Sequence, residues 1–509
     1  MHSLTRLSLL ALASTPSLAL AQSFEEVTAT VPNSIAVDDS GWYYSDRLGY
    51  FYTDENSYPW TFVEGSEWWY TSPDGWWYAY SVQNGPAPDT TLAQSDIDAI
   101  RAVLTASMEE LEIPGVAYAI KFAGQPAFTD ALGVKSLETE EPLDAADRFR
   151  IGSASKTFTG MAILQLIGQE LIGLDIPIST YLPDEVLSNY DKDAITIRML
   201  LQHTSGVSTY TNFINEWNFP YILERTRVWT NEELVEIVNS NFDSDTPGYG
   251  IVFTPGAGWS YSNTNTVLLG MIVEAVTGRT IHEYINTELV GALGLADTYY
   301  PAPGESEIAG QHTQGYIDWV DFFGEPSLPT GMTDATVYDA SGVGPAGPII
   351  SNVEDLAIWA EALALNRRLI SSSWQQLHVN TNGFVNFTPS IPSVAYGLQL
   401  VKELDQQNQS AVPNIAHRGQ IAGYDTVMIY LTEVDCAIVL MCNRTLPIVD
   451  GSIISGLEVG VYDMFQILFP EMVERYSYAD TTGANAALEA KQAESTKPQP
   501  FGRRIMSEY

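Results

Sequence analysis

The sequence predicts an α+β fold: an antiparallel sheet flanked by helices, with a mainly helical subdomain inserted and a small aromatic β-hairpin repeat ahead of it. Three observations carry this. Residues 395–402, 414–420, 424–431 and 436–442 are apolar on both faces, the pattern of strands covered by helices on each side. Two long segments, following Ser153 and Tyr261, repeat apolar residues at helical spacing. A hairpin pattern at 116–122 and 127–133 lies far upstream, so the sheet draws on both chain ends, with the helical middle inserted between them.

In chain order, residues 1–21 read as a secretory signal. His2 and Arg6 form a thin positive start, residues 7–13 a short apolar core, and Ala19-Leu20-Ala21 a small-x-small cleavage site before Gln22. The apolar run is too short to span a bilayer, and no later segment reaches the ~18 uninterrupted apolar residues a spanning helix needs. The expectation is a periplasmic or secreted protein, cleaved after Ala21, with no transmembrane segment. Residues 22–35 form a flexible lead-in.

Residues 36–82 hold a doubled repeat. Gly41-Trp42-Tyr43-Tyr44, Gly49-Tyr50-Phe51-Tyr52, Glu67-Trp68-Trp69-Tyr70 and Gly75-Trp76-Trp77-Tyr78 are versions of one unit, and Ser72-Pro73-Asp74-Gly75 is a strong turn signal. Two short hairpins are predicted. Packing of their own aromatic faces explains them; stacking on sugar rings, as a glycan or cell-wall contact through residues 41–81, is the functional alternative. The stretch loosely resembles the aromatic repeats appended to bacterial surface enzymes. Residues 83–92 are a Gly/Pro/Asp/Thr linker.

The main domain is predicted over 93–470. Ser95 caps a helix over 96–112, which Pro114-Gly115 ends. After the hairpin comes the Ser153 helix, with Phe158, Met161, Ile163, Leu164, Leu166, Ile167 and Leu171 at helical spacing. A short helix at 195–202 runs into His203-Thr204-Ser205-Gly206. Residues 207–250, rich in Asn, Thr, Trp and Tyr, form a loop-heavy insertion near the site. A long helix follows Tyr261-Ser262-Asn263, an amphipathic one occupies 281–300, and 301–345 is irregular. A helix at 353–365 is capped by Ser351 or Asn352, and one at 454–468 closes the fold. Residues 471–509 turn to Ala, Glu, Gln, Thr and Pro and are predicted disordered.

Composition narrows the function. Of 509 residues, 23 are basic and 63 acidic, a net charge of −40, which argues against nucleic-acid phosphates and anionic membrane surfaces as partners. It suits solubility in a salty medium. The two cysteines, Cys436 and Cys442, share one apolar strand and stand roughly 20 Å apart, beyond the ~7 Å a disulfide spans. Both read as free core residues. No His/Cys/Asp/Glu cluster has zinc spacing, and no Gly-rich phosphate loop follows a strand, so no metal or cofactor is expected.

Ser153 and Lys156 are three residues apart and share a helix face. A helix N-terminus disfavours a cation, easing Lys156 toward its neutral, basic form, and its free N–H groups favour an oxyanion. Those are the parts of an activated serine nucleophile. Tyr261 beside an ammonium can serve as a base, and the Asn263 amide two residues on can bind a substrate carbonyl. His417-Arg418-Gly419-Gln420 ends a strand: a polar residue, a glycine that lets substrate lie along the strand, then an N–H for an oxyanion.

These three motifs, in this order and at these separations, resemble the serine β-lactamase and D-alanyl-D-alanine carboxypeptidase family, in the branch of class C β-lactamases and family VIII esterases. Leu200-Leu201-Gln202-His203-Thr204-Ser205-Gly206, Pro255-Gly256-Ala257-Gly258, Gly270 and the stretch 342–355 also match. The resemblance implies a β-lactamase/transpeptidase-like fold and an acyl-enzyme mechanism. Ser153 would be the nucleophile, with Lys156 and Tyr261 sharing its proton. Asn263, His417, Arg418 and Gly419 would bind substrate, and the backbone N–H groups of Ser153 and Gln420 would form the oxyanion hole. His417 stands where β-lactamases carry the Lys of Lys-Thr-Gly, which shifts the implied activity toward a D-alanyl-D-alanine carboxypeptidase-like peptidase. A family VIII-type esterase or amidase, or a weak β-lactamase, is the alternative. A penicillin-binding sensor or surface-binding protein with residual catalysis is the second. Substrates would be small peptides, esters or β-lactams. Strand alternation turns Arg418 away from His417, with a guanidinium reaching around as the competing possibility. His203 sits in a stretch that matches a structural turn of the family, and His312 and His378 have no motif around them.

Overall fold

The computed structural model describes residues 35–36, 42–45, 49–52, 60–63, 67–71, 77–80, 92–243, 250–323, 328–365, 369–370, 385–388, 391–396, 401–403, 414–446 and 456–475. The expectations for the signal, the lead-in up to residue 34, the linker up to residue 91, His378 and the tail beyond 475 lie outside them, while Ile35, the last residue of the expected lead-in, is strand. Two compact units divide the chain: Met1–Thr91 with Ser371–Ser373, and Leu92–Ile370 with Trp374–Tyr509.

In the first unit six strands form one antiparallel meander in chain order: β1 (Ile35–Ala36), β2 (Trp42–Ser45), β3 (Gly49–Tyr52), β4 (Trp60–Val63), β5 (Glu67–Thr71) and β6 (Trp77–Tyr80). The β2/β3 and β5/β6 pairs are the two hairpins of the doubled repeat, in register at Tyr43↔Phe51 and Trp69↔Ala79. Strand β4, unassigned from the sequence, joins them into a single sheet.

The second unit opens with helix α1 (Gln94–Glu110). Ser95 is not its cap: Ala93 holds the N-cap position, and Ser95 sits inside the first turn because the helix begins earlier, with Gln94 Nε2 donating to Asp98 at 2.9 Å. Strands β7 (Gly115–Phe122) and β8 (Phe128–Gly133) form the expected hairpin. The short strand β9 (Phe149–Arg150) pairs with β10 (Ile350–Ser351) and leads through a 3-10 turn, Gly152–Ala154, into α2 (Ser155–Gly168). Ser153 therefore lies on the turn that precedes the α-helix.

Helix α3 (Asn231–Ser240) starts on a reciprocal Thr230/Glu233 capping box. Helix α4 (Asn263–Thr277) ends at Gly278, whose φ of +68° is the left-handed stop that glycine permits. The predicted 281–300 helix is helical from Ile281 to Leu293 and stops at Gly294, also left-handed. For α5 (Val353–Leu365) the cap is Asn352, whose Oδ1 accepts the Asp355 N–H at 2.9 Å.

The remaining strands are β11 (Val385–Thr388), β12 (Ile391–Tyr396), β13 (Val401–Glu403), β14 (Asn414–Ile421), β15 (Tyr424–Leu431) and β16 (Cys436–Cys442). The eight-stranded antiparallel sheet runs β11-β12-β13-β14-β15-β16-β7-β8. The single strand expected at 395–402 is instead the end of β12 and the start of β13. Ala395 pairs with Lys402, so the chain reverses within that stretch. Helices α6 (Gly456–Leu468) and α7 (Pro470–Arg475) follow, so the stretch assigned to the tail begins as helix.

Alternation along β16 shows how the sheet is buried. Ala437, Val439 and Met441 join the core that holds α2, α4 and α5, while Cys436, Ile438, Leu440 and Cys442 join the one under α1 and α6. Both cysteines are free and buried. A buried ion pair, Lys121 to Glu361 at 2.5 Å, ties β7 to α5. No helix among the described residues is long and apolar enough to cross a membrane.

Candidate active site

The site forms where the Ser153 turn meets β14. Two glycines allow the approach. A Cβ on Gly419 would stand 1.7 Å from the Ile151 carbonyl oxygen, and one on Gly152 (φ +50°) 2.8 Å from the Gln420 nitrogen. Among the described residues β13 pairs with β14 at Asn414, Ile415 and Ala416, and further along β14 Gly419 and Gln420 lie against the turn. The backbones at Ser153 and Gln420 thus border the same small space, and both residues line one cavity. Gly419 is spent on this packing. Its missing side chain makes room for the turn, not for a substrate lying along the strand.

Lys156 is fully buried, with Nζ 3.0 Å from Ser153 Oγ and donating to the Ala346 carbonyl at 2.8 Å. Burial pushes its pKa well below the usual lysine value. The amine thus reaches both the Ala346 carbonyl and the Ser153 hydroxyl while burial disfavours its charged form. Tyr261 packs its ring 4.9 Å from Lys156 Nζ and its phenol meets Ser153. Burial raises the phenol's pKa, against a smaller lowering by the Ser153 hydrogen bond. Burial thus favours the protonated phenol of Tyr261 and the neutral amine of Lys156.

His203 is fully buried with a left-handed backbone, φ +57°. Its Nδ1 accepts the Ser262 N–H at 3.1 Å, and its ring lies 4.5 Å from that of Tyr261. The imidazole braces the start of α4, where Ser262 is the N-cap residue but turns its hydroxyl to the Ser208 carbonyl. Asn263, next along, donates through Nδ2 to Thr211 Oγ1 at 3.2 Å and lines the cavity with Ser153.

His417 and Arg418, neighbours on β14, part company. His417 is buried opposite Met428, on the face that carries α2 and α4, and its Nδ1 donates to the Arg418 carbonyl at 2.6 Å. Burial and the nearby Lys156 push its pKa down to about 3, leaving a neutral ring. Arg418 takes the opposite face, opposite Val427 and beside Asp425, whose carboxyl burial pushes up to about 6 against a smaller lowering by the guanidinium. Strand alternation thus removes Arg418 from the site, and the guanidinium does not reach around. Gln420 also turns its side chain that way, donating to Asp425 at 3.0 Å and to the Leu446 carbonyl at 2.8 Å, so only its backbone serves the site.

The segment Ala340–Ala346, read from sequence as irregular, is the hub. Besides Ala346 and Lys156, the Pro345 carbonyl accepts Thr159 Oγ1, Val343 accepts the Tyr210 hydroxyl and Gly342 accepts Trp217 Nε1. Tyr210, Trp217, Tyr221, Trp319 and Phe322 then wall a cavity of about 80 Å³ beside Ser153. None of these was singled out from sequence. The one available signal was the Gly/Pro-dense run 342–348, a mark of close backbone approach.

The family model described as Beta-lactamase matches residues 100–457. A β-lactamase of Providencia stuartii is 24% identical over 383 residues, 70% of this chain and 88% of its own length. A penicillin-binding protein of Bacillus subtilis (strain 168) is 24% identical over 329 residues, 63% of this chain, which spans 66% of that relative's length. A D-stereospecific amidohydrolase from Streptomyces sp. superposes with a TM-score of 0.60 at 27% identity, covering 73% of this chain and 98% of that one. The matched residues run from α1 to α6, carry every side chain that converges on Ser153, and make up well over half of the chain, which therefore belongs to the beta-lactamase family.

Proposed function

We propose that the protein is an exported serine hydrolase that cleaves a small amide or ester through an acyl-Ser153 intermediate. The observation that carries this reading is the buried Lys156 amine, 3.0 Å from Ser153 Oγ and disfavoured as a cation by its surroundings. Ser153 Oγ attacks the carbonyl carbon and its proton passes to Lys156. The amide N–H groups of Ser153 and Gln420 receive the developing oxyanion. Tyr261, holding its proton, hands it to the leaving group and is recharged from Lys156. Water then adds to the acyl carbon, the same amine taking its proton, and Ser153 is restored as the acid leaves. Asn263 steadies the acyl portion.

The leaving-group side favours amides and esters over carboxypeptidase substrates. A C-terminal carboxylate needs a cation on the strand. His417 is neutral and Arg418 faces away. The likeness to a D-stereospecific amidohydrolase supports the same choice. The D-alanyl-D-alanine carboxypeptidase reading comes second, sustained by the likeness to a penicillin-binding protein. Export rests on residues 1–21, and the exported chain is expected to begin at Gln22 on N-terminal sequencing.

The test is purified protein beside its Ser153→Ala variant, each offered p-nitrophenyl butyrate, butyryl p-nitroanilide, a D-Ala-D-Ala peptide and a fluorescent penicillin. Ser153-dependent turnover of the ester or anilide, outpacing the peptide, is expected. Faster peptide cleavage promotes the second reading, and no Ser153-dependent turnover or labelling on any of the four sinks both.

A further inference from the structure

The cavity beside Ser153 is small, and its walls are tied in place. Trp217 stacks on Tyr221 with ring centroids 4.7 Å apart and planes 14° from parallel. Tyr210 meets Trp217 edge-on at 5.5 Å. Two of the three rings have their polar ends engaged: the Tyr210 hydroxyl donates to the Val343 carbonyl at 3.0 Å, and Trp217 Nε1 to that of Gly342 at 2.6 Å. Gly342 itself lies so close that a Cβ there would stand 2.9 Å from the Tyr221 ring. Moving Tyr210 or Trp217 back for a larger guest breaks a buried hydrogen bond.

We infer that the cavity is a ruler for the acyl chain, admitting an uncharged group of about three or four carbons, with Trp217 and Phe322 setting its limit. The substrates are then esters or amides of short, uncharged carboxylic acids. This rests on the acyl-Ser153 reading above.

Size, chemistry and direction each point this way. An apolar cavity of about 150 Å³ holds benzene, and the cavity beside Ser153, at about 80 Å³, has little more than half that volume. None of the described residues that line it carries a charge, so an ionised group would lose its hydration there without a counter-ion. The acyl group stays bonded to Ser153 between the two chemical steps, whereas the leaving group must escape after the first. A walled cavity suits the group that stays.

The experiment measures kcat/KM of the full-length protein for p-nitrophenyl acetate, propionate, butyrate, hexanoate and octanoate, and for the ester of 4-trimethylammoniobutyrate. It is run beside Trp217→Ala, Phe322→Ala and Ser153→Ala, with circular dichroism reporting folding. The wild type should peak at propionate or butyrate and fall at least about 10-fold by octanoate. Each folded variant should raise the octanoate-to-butyrate ratio at least about 10-fold. Phe322 is only half-buried, so its variant decides the matter if Trp217→Ala does not fold. A wild-type profile flat or rising through octanoate overturns the ruler, as do folded variants that keep the wild-type ratio. Preference for the trimethylammonio ester overturns the uncharged acyl group. If Ser153→Ala matches the wild type, the acyl-enzyme reading has failed instead, and the ruler falls with it.

Discussion

At the scale of single residues, the site is a set of ionisable groups held neutral by burial. Lys156, His203 and His417 are pushed down and Tyr261 up, in a chain whose net charge is −40. Each shift has desolvation as its largest cause, which no residue-by-residue reading supplies. The sequence therefore marks Ser153 and Lys156 by spacing but leaves open which group is the base. The pH dependence follows from the signs. Lys156 is neutral above its lowered pKa and charged below it, so kcat/KM for p-nitrophenyl butyrate should rise with pH along the acid limb. His417, at about 3, is neutral throughout the range from about pH 5 to about pH 9. The limb should keep its midpoint in His417→Gln, read from kcat/KM against pH. A limb that moves or vanishes in that variant would make His417 the titrating base.

At the scale of elements, what matters is the approach of a strand to a turn. Backbone meets backbone between β14 and residues 151–154, with no side chain to fill the gap. Gly419→Ala would drive a methyl into the Ile151 carbonyl, forcing strand and turn apart and displacing the Gln420 amide from Ser153. A misplacement of about 1 Å costs on the order of 100-fold in catalysis. We expect kcat for p-nitrophenyl butyrate to drop by about that factor in Gly419→Ala, with KM changing far less, while circular dichroism reports a folded chain. A variant with wild-type kcat would show that β14 is not held against the turn. The strands 414–442 are legible as doubly buried apolar runs, and α2 and α4 as helical periodicities. The reversal between β12 and β13 is not, because Ala395↔Lys402 pairing is a relation between two parts of one apolar stretch. The hub at 340–347 escapes for a similar reason. Its function lies in backbone carbonyls, which every residue carries and no residue type advertises.

At the scale of the whole molecule, the chain divides into an aromatic meander and a beta-lactamase-family unit. We expect a chain beginning at Leu92 to keep the full-length rate on p-nitrophenyl butyrate, and to lose whatever retention on insoluble peptidoglycan the full-length protein has. Equal retention of both chains in a pull-down would remove the glycan proposal for residues 41–81. A large loss of rate would mean that the first unit takes part in catalysis. The sequence alone determined the α+β class, the family, and the Ser153, Lys156, Tyr261 and Asn263 set, because short-range spacing and hydrophobic period are written directly in residue order. Only the tertiary structure decided that Arg418 faces away from His417, that Gly419 packs against the turn, that burial disfavours Lys156 as a cation, and that five aromatic rings line the cavity beside Ser153. Those depend on which face a side chain takes, how deeply a group is desolvated and what stands across a gap, and all three are set by segments far apart in the chain.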